Sequence, residues 1–172
     1  MATTQKKNAK TNARKATVSS KPAEIRMSVV RFEDVLDGET QHTCRKTGFE
    51  MALVGSPTNV SLKGDIIYVK APGATIRFTL VSLKEDKEHY YPIGITFFRT
   101  DKREVSEKQR LGLLNFPQSN IRLEGRTLSI TDTYKDGRYP VRYKFSVVIQ
   151  RGSDGKIGII DPAISHDSSD EN

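Results

Sequence analysis

Residues 141–160, VRYKFSVVIQRGSDGKIGII, contain two strand-forming runs separated by a short polar segment with two glycines. The first run covers residues 141–150 and the second covers Ile157–Ile160. Between them, Asp154-Gly155 supplies the positive φ that a tight turn requires. This stretch therefore predicts a β-hairpin near the end of the chain.

Short β-rich runs of the same kind recur from Ile25 onward. The clearest is Thr75–Ser82, in which large apolar residues alternate with polar ones. The other predicted strands are residues 25–29, 49–54, 65–70, Tyr90–Arg99 and Thr127–Thr131. Turn-forming pairs punctuate these runs at Asp37-Gly38, Gly64-Asp65, Pro72-Gly73 and Asp136-Gly137. Because proline cannot donate to a β-ladder, Asp161-Pro162 is expected to stop the last strand.

Helical propensity is confined to residues 104–114, whose apolar members do not form a clean stripe, so we expect a loop or a single short helix there. About eight strands without alternating helices favour an all-β fold, a single antiparallel β-sandwich that is Ig-like or jelly-roll-like, over residues 25–164. Residues 1–24 are too polar to bury enough surface and are predicted to be a disordered basic arm. Residues 165–172 are predicted to be an acidic flexible tail.

Charge is distributed unevenly along the chain. Lys and Arg number 28 and Asp and Glu 21, a net charge of +7. Residues 1–23 contain six cations and no acid, so the rest of the chain carries 22 cations against 21 acids, or +1. The six cations are Lys6, Lys7, Lys10, Arg14, Lys15 and Lys21. Residues 161–172 contain four acids and no Lys or Arg: Asp161, Asp167, Asp170 and Glu171.

The charge of the basic arm suggests a mechanism by which it could bind a polyanion. Six cations on a flexible segment can follow a phosphate backbone and release its counterions, which gives sequence-independent, salt-sensitive binding. The arm has no aromatic residue and cannot stack on bases. It is therefore predicted to contact nucleic acid or another polyanion non-specifically, and the alternative is a solubilising tail.

The composition also bears on compartment. No run approaches the roughly 20 apolar residues of a membrane span, so no membrane contact is expected. The basic N-terminus lacks an apolar h-region, which argues against a secretory signal, although residues 1–20 leave a mitochondrial presequence as an alternative. Cys44 is the only cysteine, which excludes an internal disulfide and a cysteine zinc site. We expect a cytoplasmic protein.

Candidate metal sites are weak. His42, His89 and His166 are scattered among polar loop or tail residues, and His42 has only Cys44 nearby as a second ligand, which favours a surface pair. Another candidate consists of three residues that match positions 1, 5 and 6 of a calcium loop, but tyrosines occupy positions 3 and 12, so a hairpin loop is favoured over a metal site. The three residues are Asp132, Asp136 and Gly137.

Catalytic motifs are missing as well. Residues 152–155 form a GxxG, but here it joins two predicted strands, whereas in KH domains it joins two helices. No P-loop, dinucleotide fingerprint or nucleophile elbow occurs. We therefore predict no catalytic residue, no metal and no cofactor, and a protein that is not an enzyme. A carboxylate pair assembled in space stays open as an alternative.

The strand Tyr90–Arg99 carries a cluster of aromatic residues. Pro92 within it suggests a sheet edge, through which a protein partner or a second copy of the chain could bind. Phe97 and Phe98 are adjacent and must point to opposite faces, so one is predicted in the core and the other is a candidate for exposure.

The segment LEGRTLSITDTYKDGRYPVRYKFSVVIQRGSDGKIGIIDPAI, residues 123–164, resembles the C-terminal half of small bacterial all-β proteins of the DP-EP family. In that family a Tyr-rich strand leads through a turn into an Asp-Pro box followed by isoleucine. The matching residues here are Tyr143, Phe145, Val147, Asp161, Pro162 and Ile164. The Glu-Pro half of the signature is missing, since His166 and Asp167 follow. The resemblance implies a β fold and bacterial origin, and no catalytic residues.

These observations together favour a non-enzymatic binding module, a β-sandwich whose arm contacts nucleic acid or another polyanion. A structural self-assembling protein is the first alternative, because a basic arm on a β-sandwich is also the layout of small viral coat proteins, with the arm on the genome. A small-ligand-binding or hydrolytic sandwich is the second.

Overall fold

A computed structural model of the chain describes residues 21–35, 47–82, 87–133 and 141–166. These residues form two β-sheets, one short α-helix, α1 (Glu107–Arg110), and one turn of 3-10 helix (Gln118–Asn120). The first sheet contains β1 (Ala23–Arg31), β2 (Gly48–Val54), β5 (Thr75–Ser82), β7 (Ile121–Glu124) and β8 (Thr127–Thr131). The second contains β3 (Val60–Lys63), β4 (Ile66–Val69), β6 (Tyr90–Arg99), β9 (Val141–Arg151), β10 (Ile157–Ile160) and β11 (Ala163–His166).

The strand order of the first sheet is β2-β1-β5-β8-β7. In the second sheet, β3 pairs with β4 and β4 with β11. Strand β9 is long enough to pair with β10 and β11 one after the other on one side and with β6 on the other. Within the described residues, β6 has β9 as its only strand partner, as its proline had suggested for an edge strand.

Two strand pairs are parallel, which corrects the expectation of a purely antiparallel sandwich. They are β1 with β5 and β4 with β11. After β2 the chain crosses to the other sheet, forms β3 and β4, and only then returns as β5. A crossover of that length allows parallel pairing, whereas a tight turn forces antiparallel pairing.

The core lies between the two sheets and is built from alternate residues of each strand. In β1 these residues include Ile25 and Met27, both fully buried. The rings of Phe78 in β5 and Phe145 in β9 join the two sheets with their centroids 5.6 Å apart. The all-β, sandwich-like fold predicted from the sequence is confirmed.

The strands predicted at Thr75–Ser82, Tyr90–Arg99, Thr127–Thr131 and Ile157–Ile160 are confirmed with the same bounds. The hairpin is also confirmed, with Gly155 at φ 74° in its turn. The turns expected at Asp37-Gly38 and Asp136-Gly137 lie outside the described residues.

Strand β10 ends at Ile160, directly before Asp161-Pro162, as expected, but Pro162 does not end the sheet, because a further strand follows it. Pro162 lies between β10 and β11, which pair with β9 one after the other. Its carbonyl accepts a hydrogen bond of 3.1 Å from the Phe145 N–H. Pairing with β9 then resumes at Ala163 and runs to His166. Ser165 and His166, which the sequence had placed in a flexible tail, are buried strand residues instead. Residues 167–172 lie outside the described part of the chain.

The helix between β6 and β7 is a single turn, in agreement with the sequence. Ser106 and Gln109 form a capping box at its start, with each side chain bonded to the other residue's backbone N–H. None of the helices in the described residues has the length and hydropathy needed to cross a bilayer.

Candidate functional site

The basic arm joins the fold at Lys21, which is exposed. Two residues later, Ala23 begins β1 and is 3 % exposed. Strand β1 lies between β2 and β5, so the point at which the arm leaves the sandwich is fixed on both sides. The five other predicted contact residues, Lys6, Lys7, Lys10, Arg14 and Lys15, lie outside the described residues.

A cleft of about 420 Å³ opens where the arm meets the sandwich. Its described lining consists of the start of β1, the β2–β3 connection and the residues before β5, with Lys21 as the one charged side chain. Polar side chains at the cleft are Ser56, Thr58, Asn59 and Thr75. Because these lining residues include no carboxylate, the cleft favours an anion over a cation.

A second polar cluster lies inside the same end of the sandwich. It consists of Asn115, Asp132, Tyr143 and His166, each 1 % exposed or less. His166 Nε2 lies 2.5 Å from Asp132 Oδ2, and the Asn115 amide donates to Tyr143 Oη at 3.1 Å. The same amide nitrogen lies 3.4 Å from His166 Nδ1. The four side chains therefore form one buried network.

Backbone hydrogen bonds hold this network in place. Asp132 follows β8, and its N–H donates to the Ala74 carbonyl at 3.0 Å. The Thr133 N–H donates to the Asn115 carbonyl at 2.8 Å. His166 is the last residue of β11 and pairs with Val141 at the start of β9. Through Asp132, the network therefore joins the last strand to the segment before β5 and to the segment before β9.

The geometry of His166 suits a structural role. Its Nε2 faces the Asp132 carboxylate, and its Nδ1 faces the Asn115 amide nitrogen. In a hydrolase triad the second ring nitrogen faces a nucleophile, but here it faces an amide. Every member has a partner, as buried polar groups require. The arrangement can hold β11 in position, and we assign it that role.

The residues that the sequence offered as metal ligands, other than Asp132 and His166, are either exposed or outside the described part of the chain. His89 is exposed and lies 3.5 Å from an Arg126 guanidinium nitrogen. His42, Cys44, Asp136 and Gly137 lie outside the described residues. The described residues contain no group of three His, Cys, Asp or Glu side chains arranged to hold a metal ion.

Residues 152–155 join β9 to β10 and form a turn held by charge. The Arg151 guanidinium donates to both Asp154 carboxylate oxygens, with Nε 2.9 Å from Oδ1. That hydrogen bond lowers the pKa of Asp154 to about 2. Close by, the Ser153 hydroxyl donates to Glu88 and lowers the pKa of that carboxyl.

No local pattern in the sequence indicates the buried network, and His166 falls in the predicted acidic tail. The four residues are separated by many positions along the chain and come together only through the strand pairing. The nearest sequence signal is a polar residue directly beside an apolar run, as Asn115 is beside Phe116 and Asp132 beside β8.

Comparison with models of known protein families gives no match, and comparison with curated proteins gives none either.

Proposed function

We propose that this protein is a non-enzymatic binding module whose basic arm contacts nucleic acid or another polyanion without sequence specificity. The observation that carries the proposal is the exposed Lys21, which continues an acid-free basic segment at the mouth of a cleft whose described lining has no carboxylate. The described lining of the cleft presents no negative charge to an anion held by the arm.

Counterion release gives the proposal a quantitative form. If all six arm cations neutralise phosphates, log K falls with log salt concentration with a slope of about −5 on duplex DNA and about −4 on a single strand. The rest of the chain sums to +1 and supplies little long-range attraction.

The test uses the full chain with charge substitutions. Deletion through residue 23 is unsuitable because Ala23 is buried in β1 and pairs with Ile76. The arm variant carries Lys6→Gln, Lys7→Gln and Lys10→Gln. The matched control carries Arg26→Gln, Lys63→Gln and Lys87→Gln, which removes three exposed cations of the sandwich instead.

Binding to labelled DNA and to heparin is measured across a salt series. We expect the arm variant to lose about three units of salt slope on duplex DNA and the control to keep most of its slope. Equal slopes for the two variants, or no binding by the unsubstituted chain at low salt, would overturn the proposal.

A further inference from the structure

Phe98 stands out on the outer face of the second sheet. Its neighbour Phe97 is core, but Phe98 is 54 % exposed. Its cross-strand partner in β9 is Lys144, which is exposed as well. Directly opposite residues on one face have Cβ atoms about 5 Å apart, so the lysine lies beside the ring. Arg142, two residues before Lys144 on the same face, is also exposed.

A third cation, Arg110, lies over the ring. Its guanidinium carbon is 6.0 Å from the Phe98 centroid. The guanidinium donates to the carbonyls of Asp101 at 2.9 Å and Arg103 at 2.8 Å. These bonds fix the side chain through neutral acceptors, so its positive charge stays beside the ring. We call Phe98, Arg110, Arg142 and Lys144 the Phe98 face.

The nearest acid does not cancel this charge. Arg99, 4 % exposed, binds the Asp101 carboxylate through two hydrogen bonds of 2.8 and 2.6 Å. This hydrogen bonding, with further contributions from the charges of Arg99, Arg103 and Arg110, lowers the pKa of Asp101. No described carboxylate lies within ion-pair distance of Arg142 or Lys144. The Phe98 face is therefore net positive.

The Phe98 face lies at the end of the sandwich from which the arm leaves. Strand β1 begins beside the start of β5, which pairs with the end of β8. Asp132 directly follows β8, and its carboxylate contacts His166. His166 in turn pairs with Val141, the residue before Arg142, so Arg142 lies at the same end of the sandwich. A strand held by the arm can therefore continue onto this face.

We propose that the Phe98 face binds single-stranded nucleic acid, with an unpaired base stacked on the Phe98 ring and the flanking phosphates at Arg142 and Lys144. This inference depends on the proposed function of the arm and names its substrate class. An exposed ring among cations is the combination that single-strand binders use. In a duplex the bases are already stacked on each other, so the ring adds nothing to duplex binding.

The experiment compares three probes: an oligothymidylate of about 20 nucleotides, a duplex of the same length, and heparin, a polyanion without bases. The variants, all in the full chain, are Phe98→Ala, Phe98→Leu and Phe98→Tyr. Tyr91→Ala is the matched control, since Tyr91 is another exposed aromatic residue of β6, 38 % exposed.

Phe98→Ala and Phe98→Leu are expected to weaken oligothymidylate binding by about 5- to 100-fold, the loss of one stacked base, and to leave duplex and heparin binding unchanged. Leucine keeps the apolar surface but has no π-face, whereas Phe98→Tyr keeps the ring and is expected to bind like the unsubstituted chain. Tyr91→Ala is expected to change none of the three affinities.

A spectroscopic signal gives a second measure. The chain has no tryptophan, so Phe98→Trp introduces a single reporter. We expect its fluorescence to be quenched by oligothymidylate and unaffected by heparin. Equal quenching by both probes would contradict base stacking.

The two proposals fail in different ways. If Phe98→Ala leaves oligothymidylate binding unchanged while the arm substitutions still reduce the salt slope, the Phe98 inference is overturned and the arm proposal stands. If Phe98→Ala weakens oligothymidylate binding but the arm substitutions have no effect, the arm proposal is overturned. An equal loss on all three probes would also overturn base stacking, because heparin has no bases.

Discussion

An arginine lies over an aromatic ring at both ends of the sandwich, but the two contacts differ in charge and exposure. At the hairpin end, Arg151 lies 4.4 Å from the centroid of Phe32 and is paired with Asp154. At the arm end, Arg110 lies 6.0 Å from Phe98 and donates to main-chain carbonyls. The charge of Arg151 is therefore neutralised by a carboxylate, whereas Arg110 keeps its positive charge beside the ring.

The two rings also differ in exposure. Phe32 is partly buried and stacks on Tyr90, with centroids 5.7 Å apart, and Tyr90 is 3 % exposed. Phe98 is 54 % exposed. A packed ring under a paired cation stabilises a turn, whereas an exposed ring beside cations that have no carboxylate partner among the described residues leaves an apolar surface with charge around it. The contact of Arg151 with Phe32 at the hairpin end is therefore structural, and the exposed Phe98 at the arm end is the better candidate for ligand binding.

The largest effect is expected from the buried network beneath the arm end. His166→Ala removes the imidazole that faces the buried Asp132 carboxylate, which is expected to lower the free energy of unfolding by about 3–5 kcal/mol. The double variant with Asp132→Ala should lose less than the sum of the single variants. Urea denaturation of the three variants measures this, and strictly additive losses would show that the pair is not coupled.

The buried network has no local signature in the sequence, whereas several of the strands around it do. Strand alternation fixed Thr75–Ser82 because its apolar residues share one face, and the hairpin was fixed by Gly155. Strands β3, β7 and β11 have four residues each and mix polar with apolar residues, whereas β4 (IIYV) and β10 (IGII) are just as short but almost wholly apolar. His166 was missed for the same reason, since β11 follows a proline and its burial depends on pairing with β9.

For the candidate site, the sequence revealed charge but not its surroundings. The arm cations were visible as a run, and the separation of Phe97 from Phe98 followed from alternation alone. The grouping of Arg110 and Lys144 around Phe98 was not visible, because it depends on the β6–β9 register and on the capped helix turn. Contacts made between distant segments leave no local pattern in one sequence.

A smaller loss is expected from Gly112, which packs under the arm end. Its φ is +68°, and an added Cβ would lie 2.8 Å from the Cβ of Phe97. Gly112→Ala is expected to cost about 2–4 kcal/mol of stability, from the left-handed backbone and the clash together. Gly64→Ala is the control, with φ +58° and nothing within 4 Å of the added Cβ, and should lose only about 1–2 kcal/mol. Equal losses in the two variants would mean that Phe97 moves without penalty.

The charge difference between the two ends is tested by matched pairs of substitutions. Arg142→Gln with Lys144→Gln removes two cations of the Phe98 face and is expected to reduce the salt slope for single-stranded DNA by about 1–2 units. Arg31→Gln with Arg151→Gln removes two cations that each have a carboxylate partner. This control is expected to leave the slope unchanged, and a comparable reduction would remove the distinction between the two ends.

The smallest effect is expected at the hairpin end, from the titration of Asp154. The Arg151 hydrogen bond lowers the pKa of Asp154 to about 2 in the folded chain, and the unfolded value is about 3.9. A carboxyl with a depressed folded pKa contributes stability above its unfolded pKa and loses that contribution as the pH falls through the folded value. The unfolding free energies of the unsubstituted chain and Asp154→Asn should therefore differ most at about pH 5 and converge towards about pH 2. Because the pair is exposed, the difference is expected to be small and to shrink further in high salt. A gap between the two that stays constant from about pH 5 to about pH 2 would show that the Arg151–Asp154 bond does not stabilise the turn through charge.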